Sequence, residues 1–226
     1  MSNLFLRGWN WCRRFRHRCG YGVHSPSDFF LITFVVYEQL PFYAYSLLHA
    51  KRKDVVRLSH YREKVDRLLF RLVNYLQPAA MLEVGTGSGL SARYMAEAKH
   101  VPLCTLDGGE CREEVIRLLA DCPHVDYRCG DVPQLLHRYV EEHGCPDIVH
   151  IAFTSYYKEV FEALLLAVSS HTCFFIGSPY ATKEKREWWK QVISDPRTGV
   201  TFDLYDVGLV FFDKKRVKEH RIVNFL

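Results

Sequence analysis

A chain of 226 residues is long enough for one sizeable α/β domain with a small appendage. Hydrophobic residues at 48% and charged residues at 25% give the balance of an ordinary globular protein, which excludes disordered and fibrous classes. The net charge of +4 is uneven: residues 1–64 carry 11 Lys/Arg against 4 Asp/Glu, and the rest of the chain is slightly acidic.

The basic head holds Arg7, Arg13, Arg14, Arg16 and Arg18, with Trp9, Trp11 and Phe15 between them. A short helix or arm with a solvated basic face is the preferred reading. Binding to nucleic acid or to an anionic membrane is kept as a second, less favoured one. An organelle transit peptide fits poorly because serines are few, and a secretory signal fits poorly because no sustained apolar core follows the early charges. The longest apolar stretch, 29–48, is interrupted by Glu38, Gln39 and Pro41 and is no membrane span. A cytoplasmic location is expected.

Ser25-Pro26-Ser27-Asp28 is a helix start. Ser25 can cap, Pro26 suits the first helical position, and Asp28 makes a box-like pair with Ser25. The helix is expected over 26–39, ending before Pro41. A second helix is expected over 59–76, because Val65, Leu68, Leu69, Leu72, Val73 and Leu76 keep helical spacing. Together they suggest an N-terminal helical cap over 1–77, followed by a main domain over 78–226.

From position 79 strands and helices alternate. Strands are expected at 79–82, 101–106, 125–129, 147–152 and 172–176, with helices at 90–97, 110–120, 132–142, 158–168 and 183–194. That order implies a parallel sheet with right-handed crossovers. Two further strands, 200–205 and 209–213, are separated only by Asp206-Val207-Gly208, too little for a helix, so they form an antiparallel hairpin.

Eight cysteines stand at 12, 19, 104, 111, 122, 129, 145 and 173, with no C-x-x-C and no zinc-finger spacing. They are too few for a disulfide scaffold. Cys104, Cys129 and Cys173 adjoin apolar runs, where a thiol packs as a small hydrophobe. The reading is a reducing compartment and no structural metal.

The most specific signal is Glu83-Val84-Gly85-Thr86-Gly87-Ser88-Gly89 between the first strand and its helix. A helix N-terminus behind glycines suits a ligand that approaches the backbone closely. The dinucleotide fingerprint would need a glycine where Leu90 stands, and the phosphate-loop motif would need Gly-Lys-Ser/Thr after the turn. Glu83 would repel a pyrophosphate but could orient a cationic group. Asp107-Gly108 ends the second strand, and an acid there accepts hydrogen bonds from ribose hydroxyls. A ligand with a ribose, no phosphate and a cationic tail satisfies these features, and S-adenosyl-L-methionine is such a ligand.

On these residues the chain resembles the class I, Rossmann-like S-adenosylmethionine-dependent methyltransferases, from position 79 to the end. The resemblance implies a doubly wound α/β sheet of seven strands, mostly parallel with an antiparallel last strand, preceded here by the helical cap. It also implies cofactor binding by Glu83, Gly85, Thr86, Gly87, Gly89, Asp107, Gly108, Gly130 and Asp131. Gly130-Asp131 matches the place that commonly recognises the adenine amino group, although Asp131 would serve as a helix cap nearly as well. Tyr21-Gly22-Val23-His24-Ser25-Pro26 looks like a segment that precedes such domains in a bacterial subgroup similar to metal-using small-molecule O-methyltransferases.

That subgroup usually carries an Asp-Gly pair after the fourth strand and paired Asp residues after the fifth. Here Ile151-Ala152-Phe153-Thr154-Ser155 and Ile176-Gly177-Ser178-Pro179-Tyr180 stand in those places, without hard-cation ligands. Metal-independent transfer to a small-molecule acceptor is therefore expected. Phe153, Ser155, Tyr156, Ser178 and Tyr180 would line the pocket, with Tyr156 or Tyr180 orienting or deprotonating the acceptor. The alternatives are that these tyrosines only pack, or that the protein binds the cofactor without turnover. His150 is read as a strand histidine, and Trp188-Trp189 as a packing surface.

Overall fold

The computed structural model describes residues 4–55 and 57–226; residues 1–3 and 56 of the expected cap lie outside the described residues. Five parallel strands form the frame: β1 (Met81–Val84), β2 (Leu103–Gly108), β3 (Val125–Gly130), β4 (Ile148–Ile151) and β5 (Cys173–Gly177). The hairpin strands β6 (Thr201–Asp203) and β7 (Val207–Phe211) follow, with β7 inserted antiparallel between β5 and β6. The full order is β3-β2-β1-β4-β5-β7-β6-β8.

The eighth strand, β8 (His220–Ile222), adds to the seven expected from sequence and runs parallel to β6. It has three residues and no buried alternation, so the sequence gives it no periodic signal. Its place is set by the open edge of β6, where Thr201 Oγ1 lies 2.8 Å from His220 Nδ1.

Side chains alternate between the two sheet faces. Leu82, Val84, Leu106, Val149, Ile151, Phe174 and Ile176 face α7 (Val132–His143), α8 (Tyr157–Leu165) and α9 (Lys183–Ser194). Met81, Leu103, Ile148 and Phe175 face the other way, toward α5 (Leu90–Ala98), α6 (Glu113–Leu119) and the cap. Leu31, Ile32, Val35, Val65, Leu68 and Leu72 of the cap share this second core. Trp189 is fully buried against Gly208 of β7.

The segment expected as a cap contains α1 (Leu4–Arg13), α2 (Pro26–Phe30), α3 (Tyr45–Lys51) and α4 (Glu63–Leu76). Ser25 Oγ accepts from the Asp28 amide, as its spacing suggests. The expected helix over 26–39 instead passes into a π-helical turn at Leu31–Val36, where the Tyr37 amide donates to Ile32 O. Arg71 on α4 ends the helix by donating to the carbonyls of Val35 and Val36 at 2.7 and 3.0 Å. The buried Asp28 carboxylate pairs with Arg216 and Arg221, tying the cap to the C-terminal segment.

The basic head is only partly solvated. Arg7 makes two 2.7 Å hydrogen bonds to Asp206, and Arg14 holds both oxygens of Asp203 at 2.9 and 3.0 Å. Bidentate guanidinium–carboxylate geometry fixes the arm onto the β6–β7 hairpin.

Candidate cofactor and acceptor site

β1, β2 and β3 lie side by side, so their C-terminal ends bring the glycine turn, Asp107-Gly108 and Gly130-Asp131 into one row. In register, Val84 pairs with Leu106, Asp107 with Cys129 and Gly108 with Gly130. Gly85 has φ +93° and Gly87 φ +58°, both in the left-handed region that favours glycine. A Cβ on Gly85 would sit 2.5 Å from the Phe153 backbone, and one on Gly87 would sit 2.6 Å from the Ser59 carbonyl. The turn is shaped as much by the chain segments above it as by its own glycines. The Ser88 amide donates to Ser59 O at 2.9 Å, and the Gly85 amide to Leu106 O at 2.7 Å. Thr86 and Gly89 complete the turn, with the Gly89 amide donating to Thr86 O.

Strand β1 runs two residues past its expected end at 82, which puts Glu83 inside the sheet rather than at its tip. Its side chain is 0% exposed and fully engaged. Oε1 accepts from Ser91 Oγ and, at 2.8 Å, from His150 Nδ1; Oε2 accepts from Thr105 Oγ1 at 2.8 Å. Thr86 Oγ1 lies 2.7 Å from Thr105 Oγ1 and extends the network into the turn. A buried carboxylate needs such partners. Glu83 therefore braces the turn from beneath, and the expectation that it meets the ligand's cationic end is revised.

Asp107 is 8% exposed, and its Oδ1 accepts from the Gly108 amide at 3.1 Å. Its Oδ2 is buried without a hydrogen bond, although Arg112 Nη1 stands 3.2 Å away as an ion pair of poorer geometry. Burial pushes the Asp107 carboxyl above its ordinary value of 3.8, against the pull of Arg112. The same Arg112 nitrogen donates to Gly87 O at 2.7 Å, so one guanidinium spans the turn and the acid. Gly130 has φ +147°, and Asp131 caps α7 by accepting from the Gln134 amide at 3.0 Å.

A disulfide joins Cys111, in the loop after β2, to Cys129 of β3, with the Cα atoms 5.3 Å apart. This corrects the reading of Cys129 as a buried hydrophobe. The pairing could not be read from a spacing of 18 residues. It arises because β3 lies beside β2 and brings Cys129 under the loop that carries Arg112.

At the end of β5, beside Gly177, the space is filled by Tyr61. A Cβ on Gly177 would lie 1.8 Å from the Tyr61 hydroxyl oxygen. That hydroxyl lies 3.3 Å from His150 Nε2, and the ring stacks on Phe153 with centroids 4.4 Å apart. His150 thus bridges Glu83 through Nδ1 and the Tyr61 hydroxyl through Nε2. Burial and the charges of Glu83 and Asp66 push the Tyr61 hydroxyl well above the usual tyrosine range. Nothing in the local sequence marks Tyr61, because its role depends on segments about 90 and 116 positions away meeting over it.

The two acceptor-side tyrosines differ. Tyr156 opens α8 with 39% of its surface exposed. Tyr180 donates its hydroxyl to Asp203, accepts from Arg14 at 3.2 Å and stacks on Tyr205 at 5.2 Å. Burial and the Asp203 charge raise the Tyr180 hydroxyl, so this phenol holds its proton and locks the hairpin to the arm. Among the described residues there is no group of three or more His, Cys, Asp or Glu able to hold a metal ion.

No family model and no curated protein sequence matches the chain. Solved structures do. An O-methyltransferase from Bacillus cereus, in complex with SAH, aligns at TM-score 0.59 and 15% identity, over 79% of this chain and 95% of that one. The O-methyltransferase TomG of Streptomyces achromogenes, in complex with SAM, aligns at TM-score 0.57 and 17% identity, over 76% of this chain and 91% of that one. The fold is that of these O-methyltransferases. The Podospora anserina methyltransferase PaMTH1, bound to SAH, aligns at TM-score 0.55 and 14% identity, over 77% of this chain and 98% of that one. In this chain β7 is the antiparallel strand expected from the hairpin. At such identities the likeness concerns the fold, and the argument about ligands returns to the residues.

Proposed function

We propose that the chain binds S-adenosyl-L-methionine along the C-terminal ends of β1, β2 and β3 and transfers its methyl group to a small molecule. The observation that carries this reading is Asp107 Oδ2, a buried carboxylate oxygen with no hydrogen bond, beside a turn whose glycines leave no room for side chains. A buried acceptor whose one neighbour is the poorly aligned Arg112 guanidinium gains from a ligand that donates to it, and ribose hydroxyls are such donors. Gly85, Thr86, Gly87 and Gly89 would border the amino-acid part of the cofactor. Asp107 and Gly108 would hold the ribose, and Gly130 and Asp131 the adenine edge. Glu83 is assigned to positioning the turn.

The cofactor, when bound, supplies a methyl group already activated on a sulfonium. The protein's share is proximity and the acceptor's proton. We assign acceptor orientation to Tyr156 on the strength of its exposure. Tyr180, with its proton given to Asp203, is a weaker candidate. Transfer without a metal is part of this reading, supported by the Tyr61 ring in the space beside Gly177. We read residues 1–77 as the cap and 78–226 as the catalytic unit. No helix among the described residues is long and apolar enough to cross a membrane.

The closure of the acceptor side by Tyr61 and Phe153 favours a second reading, a cofactor binder without turnover. Calorimetric titration with S-adenosylmethionine, S-adenosylhomocysteine and NAD tests the first step, with Asp107→Ala as control. Failure of both sulfur nucleotides to bind sinks the proposal. Binding without methylation of a catechol, phenol and amine panel selects the second reading, and a rate increase with magnesium removes the metal-free part.

A further inference from the structure

A cavity of about 410 Å³ lies among the N-terminal helices, between α4, the turn after the π-helical segment and the C-terminal residues. Its walls include Trp11, Tyr37, Tyr45 and Phe225, and it receives the side chains of Lys64 and Arg71. Both cations lack a carboxylate partner among the described residues. Arg71 is 8% exposed and spends its guanidinium on the neutral Val35 and Val36 carbonyls and, at 3.5 Å, on the Tyr45 hydroxyl. Lys64 Nζ sits 4.2 Å above the Phe225 ring, a cation–π contact. Burial and the cations Arg62, Arg7 and Arg71 push the Lys64 ammonium down to about 8, with only Asp206 opposing them.

Glu38 and the C-terminal Leu226 also line the cavity, but among the described residues neither forms an ion pair with Lys64 or Arg71. Arg67 is held by Glu63 at 2.9 Å, and Arg18 lies over Trp11 and Phe15. Glu38 accepts from the amides of Gln39 and Leu40, both at 2.7 Å through Oε1. Two partly desolvated cations that form no ion pair are unfavourable, and an anion that enters between them recovers the lost interaction. A cavity of this size fits a one-ring ligand, and aromatic walls favour a flat one.

We propose that this cavity is a binding site for a small aromatic anion, a carboxylate or phosphate ester, gripped by Lys64 and Arg71 and stacked on the aromatic wall. The site is distinct from the glycine turn, and its occupation does not depend on methyl transfer.

The test is calorimetric titration of the full chain at fixed ionic strength with benzoate, phenyl phosphate and neutral benzyl alcohol. Saturable binding of at least one anion is expected, about tenfold or more tighter than benzyl alcohol. Tighter benzoate assigns carboxylates, and tighter phenyl phosphate assigns phosphate esters. Lys64→Met should weaken anion binding about tenfold or more, while Lys64→Arg keeps it. Because Lys64 has no carboxylate partner to orphan, Lys64→Met should melt no lower than wild type. S-adenosylmethionine titrated into the same variant should give the wild-type result. No saturation by either anion, equal affinity for benzyl alcohol, or wild-type anion binding by Lys64→Met would overturn the proposal.

Discussion

The Arg112 guanidinium stands 3.2 Å from the Asp107 carboxylate and so occupies the seat assigned to the cofactor's ribose. The Arg112 side chain is 40% exposed, so the pair is solvent-screened and its loss costs little, about 0.2–1 kcal/mol. Arg112→Ala should therefore bind S-adenosylmethionine severalfold more tightly than wild type. Asp107→Ala should weaken binding about tenfold or more, through loss of a charge-assisted acceptor. Calorimetry on the two variants checks both, and weaker binding by Arg112→Ala would mean that the arginine itself holds the ligand.

Asp107 also sets a pH dependence. Its carboxyl is raised above 3.8 in the folded protein, so the protonated form favours the ligand-free fold. That contribution to stability is present below pH 3.8 and is lost as pH rises through the folded-state value. Cofactor binding has the opposite sign, because the ionised carboxylate is the better acceptor for two hydroxyls. Affinity measured across acid pH should start to fall at a pH above 3.8, and Asp107→Asn should flatten the profile.

The Cys111–Cys129 disulfide makes a countable prediction. Thiol titration of the denatured, unreduced protein should find six free cysteines of eight. Reduction should lower stability by about 3 kcal/mol in the loop-closure picture, or about 6–12 °C in Tm. Cys111→Ser should show the same loss, with no additional effect of a reductant. Eight free thiols in protein purified without reductant would refute the pairing.

Tyr61 and Gly177 are coupled by space. The Gly177→Ala Cβ cannot coexist with the Tyr61 hydroxyl, so overpacking should cost about 1–3 kcal/mol. Tyr61→Phe removes that oxygen and leaves His150 Nε2 without its partner, a loss of about 1 kcal/mol. The double variant should be more stable than the sum of the two losses, as a double-mutant cycle by chemical denaturation would show.

Much of the frame was legible because its signals are local. Each βα repeat writes its own periodicity, and Gly85, Gly87 and Asp107 sit at turns defined by their immediate neighbours. The hairpin was equally local, because too few residues separate its strands for a crossover; the turn lies at 204–206, with Val207 and Gly208 already in β7. The helix expected to reach 39 ends at Val36, because Arg71, on another helix, captures the carbonyls of Val35 and Val36.

The sequence by itself determined the alternating α/β order, the terminal hairpin and the row of turn residues at the strand ends, since nearest-neighbour conformational preference fixes each of them. Only the tertiary structure decided what surrounds that row. It turned Glu83 inward onto Thr105 and His150, set Tyr61 against Gly177, joined Cys111 to Cys129 and docked Arg7 and Arg14 on Asp206 and Asp203. These contacts link positions from 18 to 199 residues apart. Burial makes each buried charge and hydroxyl seek whatever partner the fold brings near, and no local pattern in the chain encodes that choice.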